Sequence, residues 1–182
     1  MSDRRFTIRA ALATACALLA LPAGAETAPY AGLDTRDVAT LPADRIEGLR
    51  AGAGLGYALS AELNGLPGPL HVLELADTLE LTPEQHTAVE KVRQDMLDRA
   101  VPLGAQLIAA ETALDRAFEA GTDAAEVARL TAAAAAVEAE LRAAHLVAHL
   151  ETAPLLDRHQ TMLYARARGY GAAEGHAGHG GH

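Results

Sequence analysis

Residues 81–85 read Leu81-Thr82-Pro83-Glu84-Gln85 and predict the start of a long helix. Thr82 suits the N-cap position, and Pro83 suits the first helical position. Gln85 then stands third, so its side chain can return to the N-cap amide while the Thr82 hydroxyl caps the Gln85 amide. This reciprocal arrangement is a capping box. Apolar residues follow at steps of three or four, which predicts a helix to about Ala120.

A second long helix is predicted to follow after a tight turn. Gly121 and Thr122 form the turn, and Asp123 with Glu126 reads as another capping box. The residues beyond alternate at the spacing of a helical seam, which comprises Val127, Leu130, Ala134, Val137, Leu141, Ala144 and Ala148. Two long helices joined by so short a turn form an antiparallel hairpin. Pro102 predicts a kink in the first helix.

The capping device recurs near the end of the chain. Residues 156–160 read Leu156-Asp157-Arg158-His159-Gln160, with Asp157 at the N-cap and Gln160 in the third position. This pattern predicts a last helix to about Arg168. The predicted fold class is therefore all-α, with short helices around the hairpin in a hooked arrangement.

The region before the hairpin gives weaker signals. A short helix is expected over Leu70–Leu79. Pro42–Leu63 has helical content that its glycines weaken. Three of them, Gly48, Gly52 and Gly56, recur every four residues and are expected to line one face where another helix packs closely.

The first 25 residues read as an export signal. Three arginines precede an apolar run over residues 10–21, and Ala23-Gly24-Ala25 suits cleavage. A membrane anchor is the alternative, but the run is short for a membrane span. We therefore expect a periplasmic protein. Its expected organisation is a cleaved signal at 1–25, an extended lead at 26–41, a helical domain at 42–168 and a disordered Gly/His tail at 169–182.

Composition excludes several classes of function. Aromatic residues make up only 3% of the chain, which argues against a β-rich fold. The formal charge of −9 argues against nucleic-acid binding, which needs a basic face. The one cysteine, Cys16, lies within the signal, so the exported protein has no disulfide or thiolate chemistry. Residues 145–149 lack the glutamate of an H-E-x-x-H zinc hydrolase, so we expect no enzyme.

The two capping motifs together resemble the LTxxQ family of periplasmic proteins, which includes the Spy/CpxP-like chaperones and periplasmic heavy-metal sensors and resistance proteins. The stretch from Leu66 to Gln160 looks most like the heavy-metal sensor branch; Asp157 departs from the motif's threonine. The resemblance implies a hooked helical hairpin that forms a homodimer. Its implied function is metal sensing, buffering or resistance, with an inner-membrane signalling partner. The alternative is an ATP-independent holdase that binds unfolded clients.

The histidines are the candidate metal ligands. His145 and His149 lie one helical turn apart, a spacing that suits chelation of one divalent ion such as Zn, Cu, Ni or Co. Helical-wheel geometry puts His145 at the flank of the apolar seam and His149 nearer solvent; two surface histidines are the alternative. The resemblance implies that His71 and Glu74 complete the set, with His159 and Met162 as outside candidates.

The tail offers a second candidate site. His176, His179 and His182 recur every third residue on a flexible backbone, so they can wrap around one divalent ion. A solvated tail without a ligand is the alternative.

Leu146 and Leu150 point away from the hairpin seam and are expected at a dimer interface, at a client-binding surface or against the last helix.

Overall fold

A computed structural model describes residues 28–170, and its fold is all-α as predicted. The α-helices within that range are α1 (Ala43–Arg50), α2 (Leu59–Glu62), α3 (Pro69–Glu74), α4 (Pro83–Ala120), α5 (Ala124–Thr152) and α6 (Arg158–Ala167). Short 3₁₀ turns span Leu33–Thr35 and Ala153–Leu155. The chain divides into two units after Gly32, and helices α1 to α6 all belong to the second unit.

The predicted caps of α4 and α5 form. Thr82 makes the complete capping box, with 3.2 Å from the Gln85 amide to the Thr82 hydroxyl and 3.1 Å for the return bond. Asp123 caps α5 at 2.9 Å, but the Glu126 carboxylate binds Arg129 instead of returning to the cap. Helix α4 continues through Pro102 without ending.

The predicted cap of α6 also forms, and it meets the cap of α4. Asp157 and Gln160 make a second complete capping box. The Gln85 and Gln160 amides then bond to each other reciprocally, at 2.8 and 2.9 Å. Gln85 also donates to the carbonyl of Leu155, just beyond the end of α5. The start of α4 therefore lies beside the end of α5, so the two long helices run antiparallel.

Two apolar clusters make the core. The first joins the segment before α2 to the middle of the hairpin, and its buried members are Val38, Leu41, Ile46, Leu49, Tyr57, Ala100, Leu107, Ala134 and Leu141. The second lies where the caps meet and contains Val72, Leu79, Val89, Leu156 and Tyr164, with Leu81 packed against it. None of the helices in the described range has the length and hydropathy needed to cross a bilayer.

The segment before the hairpin departs from expectation. Val38 and Leu41 are buried and joined by an isolated β-bridge, so the extended lead expected at 26–41 ends inside the core. Gly52 and Gly56 have positive φ and form turns between α1 and α2. Gly52 lies close to Leu97 and Val101 of α4, as expected, but nothing lies within 4 Å of a Cβ at Gly56, so the glycines do not share one packing face. The close helix approach occurs at Gly104, where the backbone of Leu49 lies directly against the α4 backbone.

We predict that Gly104→Ala destabilises the protein. The added Cβ would overlap the backbone oxygen of Leu49. Backbone cannot move aside as the end of a flexible side chain can. Overpacking of this kind costs about 1–3 kcal/mol. Urea unfolding measures the loss, with Gly54→Ala as the control because a Cβ there meets nothing within 4 Å. Equal stability of the two variants would contradict the close approach.

We predict that Gln160→Ala lowers stability by about 1–3 kcal/mol, because it removes the two bonds to the Gln85 amide and leaves the Leu79 carbonyl without its side-chain donor. The control is Gln94→Ala, which removes one exposed bond to Asp98 and should cost little. A double-mutant cycle with Gln85→Ala should give a coupling energy above about 0.5 kcal/mol. Additive effects would show that the two caps are independent.

Candidate functional site

His145 and His149 both lie under the segment formed by residues 57–68. Their exposed fractions are 3% and 9%. His149 is the more exposed of the two, as expected, but both rings are buried, so the alternative of two surface histidines is wrong. Helical-wheel geometry considers one seam of α5, whereas α2 and the loop before α3 cover a second face. Gly68 lies against the His149 ring so closely that a Cβ there would come within 2.7 Å of Cε1 and Nε2.

The His149 ring is oriented by a backbone carbonyl. Its Nδ1 lies 2.8 Å from the Leu66 oxygen. A carbonyl oxygen only accepts hydrogen bonds, so Nδ1 carries the proton and Nε2 is the unprotonated nitrogen of the neutral ring. The Glu62 Oε2 atom is the nearest ionic partner, 3.7 Å from Nδ1.

Glu62 is a buried carboxylate held from one side. Its Oε1 accepts hydrogen bonds from the Tyr164 hydroxyl at 2.7 Å and from Arg168 Nε at 3.2 Å. Burial and the bond to Glu62 raise the pKa of the Tyr164 hydroxyl well above its usual value. The other oxygen, Oε2, is buried without a hydrogen-bond partner. This network joins α2 to α6.

His145 has an aromatic environment. Its ring stacks on Tyr57 with 5.8 Å between centroids and 17° between planes. Arg142 lies over the Tyr57 ring at 5.3 Å, and the Tyr57 hydroxyl bonds to Glu138 at 3.1 Å. The Nε2 atom of His145 is buried without a hydrogen-bond partner. Burial lowers the pKa of His145 from its ordinary 6.5, and His149 lowers it further, so the neutral ring is favoured.

The structure does not bring the sequence-predicted ligand set together. His71 and Glu74 bond to each other on α3, with 2.7 Å between Nδ1 and Oε2. His159 and Met162 are exposed on α6. No group of three or more His, Cys, Asp or Glu within residues 28–170 is placed to hold a metal ion. The tail histidines His176, His179 and His182, like the predicted export signal at 1–25, lie outside the described residues.

Sequence reasoning missed Glu62. On α2 the polarity is inverted, because Glu62 is buried while Leu59 and Leu63 are more than half exposed. Periodicity alone predicts the opposite orientation of so short an amphipathic helix. The sequence carries no signal for the inversion, since the partners Tyr164 and Arg168 are about a hundred residues away.

Comparison of the chain with protein-family models, with curated proteins and with solved structures finds no match in any of the three. The functional argument therefore depends on the residues of the site and on their geometry.

We predict that His145 makes the protein less stable as the pH falls. Its pKa is lowered in the fold, so between that pKa and about 6.5 the unfolded chain binds more protons than the native state. The contribution of neutral His145 to the free energy of unfolding is fully present above about pH 6.5 and is lost as the pH falls toward its lowered pKa. Each unit of pKa shift corresponds to about 1.4 kcal/mol.

The measurement is urea unfolding at pH 7 and pH 5. His145→Phe keeps an aromatic ring beside Tyr57 but cannot titrate, so it should lose less stability over that interval than the unsubstituted protein. The half-exposed His86, which lies beside Glu90 on α4, supplies the matched control variant His86→Gln. A His145→Phe variant with the full loss would contradict the buried neutral ring.

Proposed function

We propose that this protein is exported to the periplasm and binds divalent transition-metal ions there, acting in sensing, buffering or resistance to metal stress. The observation that carries the proposal is the unpartnered Nε2 of His145, which is buried one helical turn from His149. A buried nitrogen without a partner costs about 1–3 kcal/mol. A bound cation would supply the missing partner.

The donor chemistry fits such an ion. His149 donates a hydrogen bond from Nδ1 to the Leu66 carbonyl, which leaves the lone pair of Nε2 free for a metal ion. This is the usual arrangement of a metal-ligating histidine. Gly68 lacks the Cβ that would fill the space beside that nitrogen. Metal binding needs neutral imidazole, which the lowered pKa of His145 favours. Two imidazole ligands suit Zn, Cu, Ni or Co, with water in the remaining positions.

The LTxxQ resemblance is consistent with this proposal. Its two motifs, 75 residues apart in sequence, pair directly through Gln85 and Gln160. A bound ion would be held by two α5 histidines that lie beneath residues 57–68. Its binding would change how that segment packs on α5, and an inner-membrane partner would detect that change. A homodimer and the three tail histidines as a second, weaker site belong to the same proposal.

A holdase is the second candidate, favoured by exposed leucines. Leu59, Leu63, Leu70 and Leu150 are each between 42% and 63% exposed, which suits contact with unfolded clients. The acidic charge of the chain disfavours acidic clients. Metal-free suppression of client aggregation that survives loss of His145 and His149 would support this function.

We predict that the paired substitution His145→Gln plus His149→Gln abolishes the tighter class of metal sites. The measurement is calorimetric titration of the full chain with Zn, Cu and Ni, in a background where His176, His179 and His182 are replaced by alanine. His86→Gln is the matched control. Affinity should also fall as the pH drops below about 6.5 toward the lowered pKa of His145, because protons then compete with the metal for its imidazole. Binding that follows the tail alone would contradict the folded site.

A further inference from the structure

The inverted α2 helix is the least explained feature of the described chain. A leucine in place of Glu62 would satisfy the apolar pattern, and the exposed Leu59 and Leu63 would more readily be polar. Burial of a carboxylate is unfavourable unless hydrogen bonds or charges compensate it. Departures from local rules of this kind concentrate at functional sites.

The Glu62 carboxylate is compensated on one oxygen only. Tyr164 and Arg168 both bind Oε1, which fixes the group and leaves Oε2 facing the Nδ1 side of His149 at 3.7 Å. A shift of about 1 Å would let Oε2 share the Nδ1 proton with the Leu66 oxygen. The carboxylate oxygen Oε2 therefore lies near the Nδ1 proton of His149 without forming a hydrogen bond to it.

We infer that Glu62 is the positioning carboxylate of the metal site, tuning His149 as a ligand without itself binding the ion. This inference rests on the proposed metal function. A metal ion on Nε2 draws electron density from the ring, which makes the Nδ1 proton a stronger donor. A carboxylate that accepts this bond makes the histidine a better ligand. Glu74, which the resemblance implied as a ligand, is bonded to His71 on α3 instead.

The groups around Glu62 determine how it responds when a metal ion binds His149. Arg168 offsets part of the carboxylate charge, so the affinity gained is moderate. Tyr164 donates to Glu62 and also accepts from the Gly68 amide at 3.3 Å. Movement of Glu62 toward His149 therefore alters the hydrogen bonding of Tyr164, which lies on α6. Occupancy of the site on α5 is read out at α6.

The first test is calorimetric titration with Zn in the background without tail histidines. Glu62→Gln keeps the shape and an acceptor for Tyr164 but removes the charge, and we expect about tenfold or greater loss of affinity. Glu74→Gln is the matched control and should bind as the parent does. Glu62→Asp restores the charge and should recover part of the affinity, although it fits less well.

The outcomes separate the two proposals. Loss of binding in the His145/His149 variant, with Glu62→Gln unaffected, would overturn the role of Glu62 alone. Parent-like binding by the His145/His149 variant would overturn the metal site and this inference together. Affinities of the Gln and Asp variants that follow their thermal stability instead of their charge would show that Glu62 is only structural.

A second measurement tests the inference without the Glu62→Gln variant, in case that variant does not fold. In the unaltered protein, NMR should show that Zn shifts the ring resonances of Tyr164, which bonds to Glu62. Tyr30 lies in the other unit of the chain and serves as the reference. Tyr164 resonances that do not move when His145 and His149 resonances do would overturn the inference.

Discussion

The reciprocal amide pair of Gln85 and Gln160 is the constraint on which the arrangement of the helices depends. Each amide oxygen accepts one bond from its own N-cap amide and one from the other glutamine. Each amide nitrogen donates to the other glutamine and to a loop carbonyl. All four bonding positions of each side chain are filled, so the pair is rigid and specific. One motif thereby starts a helix and joins it to another.

The fixed ends determine where polar groups must lie. With α6 held beside the start of α4, Tyr164 and Arg168 face the segment between α1 and α3, and Glu62 is the group that meets them. Buried charged groups of this kind are in general no more stabilising than well-packed apolar residues of the same volume. The arrangement instead gives His149 a nearby negative charge in a site with little solvent.

Local signals predicted much of the fold and little of the site. The caps at Thr82, Asp123 and Asp157 and the seam of α5 are set by neighbouring residues, so the sequence reveals them. The segment before α3 depends on close tertiary contact at Gly104 and on positive-φ glycines, which periodicity misreads. Predicting the burial of His149 would require knowing which segment covers α5. Predicting the role of Glu62 would require knowing its partners near the end of the chain, and no local pattern encodes that pairing.

The two proposed metal-binding elements are close along the chain. Arg168 contacts Glu62, and the first tail histidine, His176, follows Arg168 by only eight residues. A segment of that length reaches at most about 28 Å when fully extended. Under the proposed function, a tail tethered at this distance would raise the effective concentration of its ion for the histidines of α5. Under the proposed function, the tail's contribution is delivery, and the buried histidines decide whether the ion is retained.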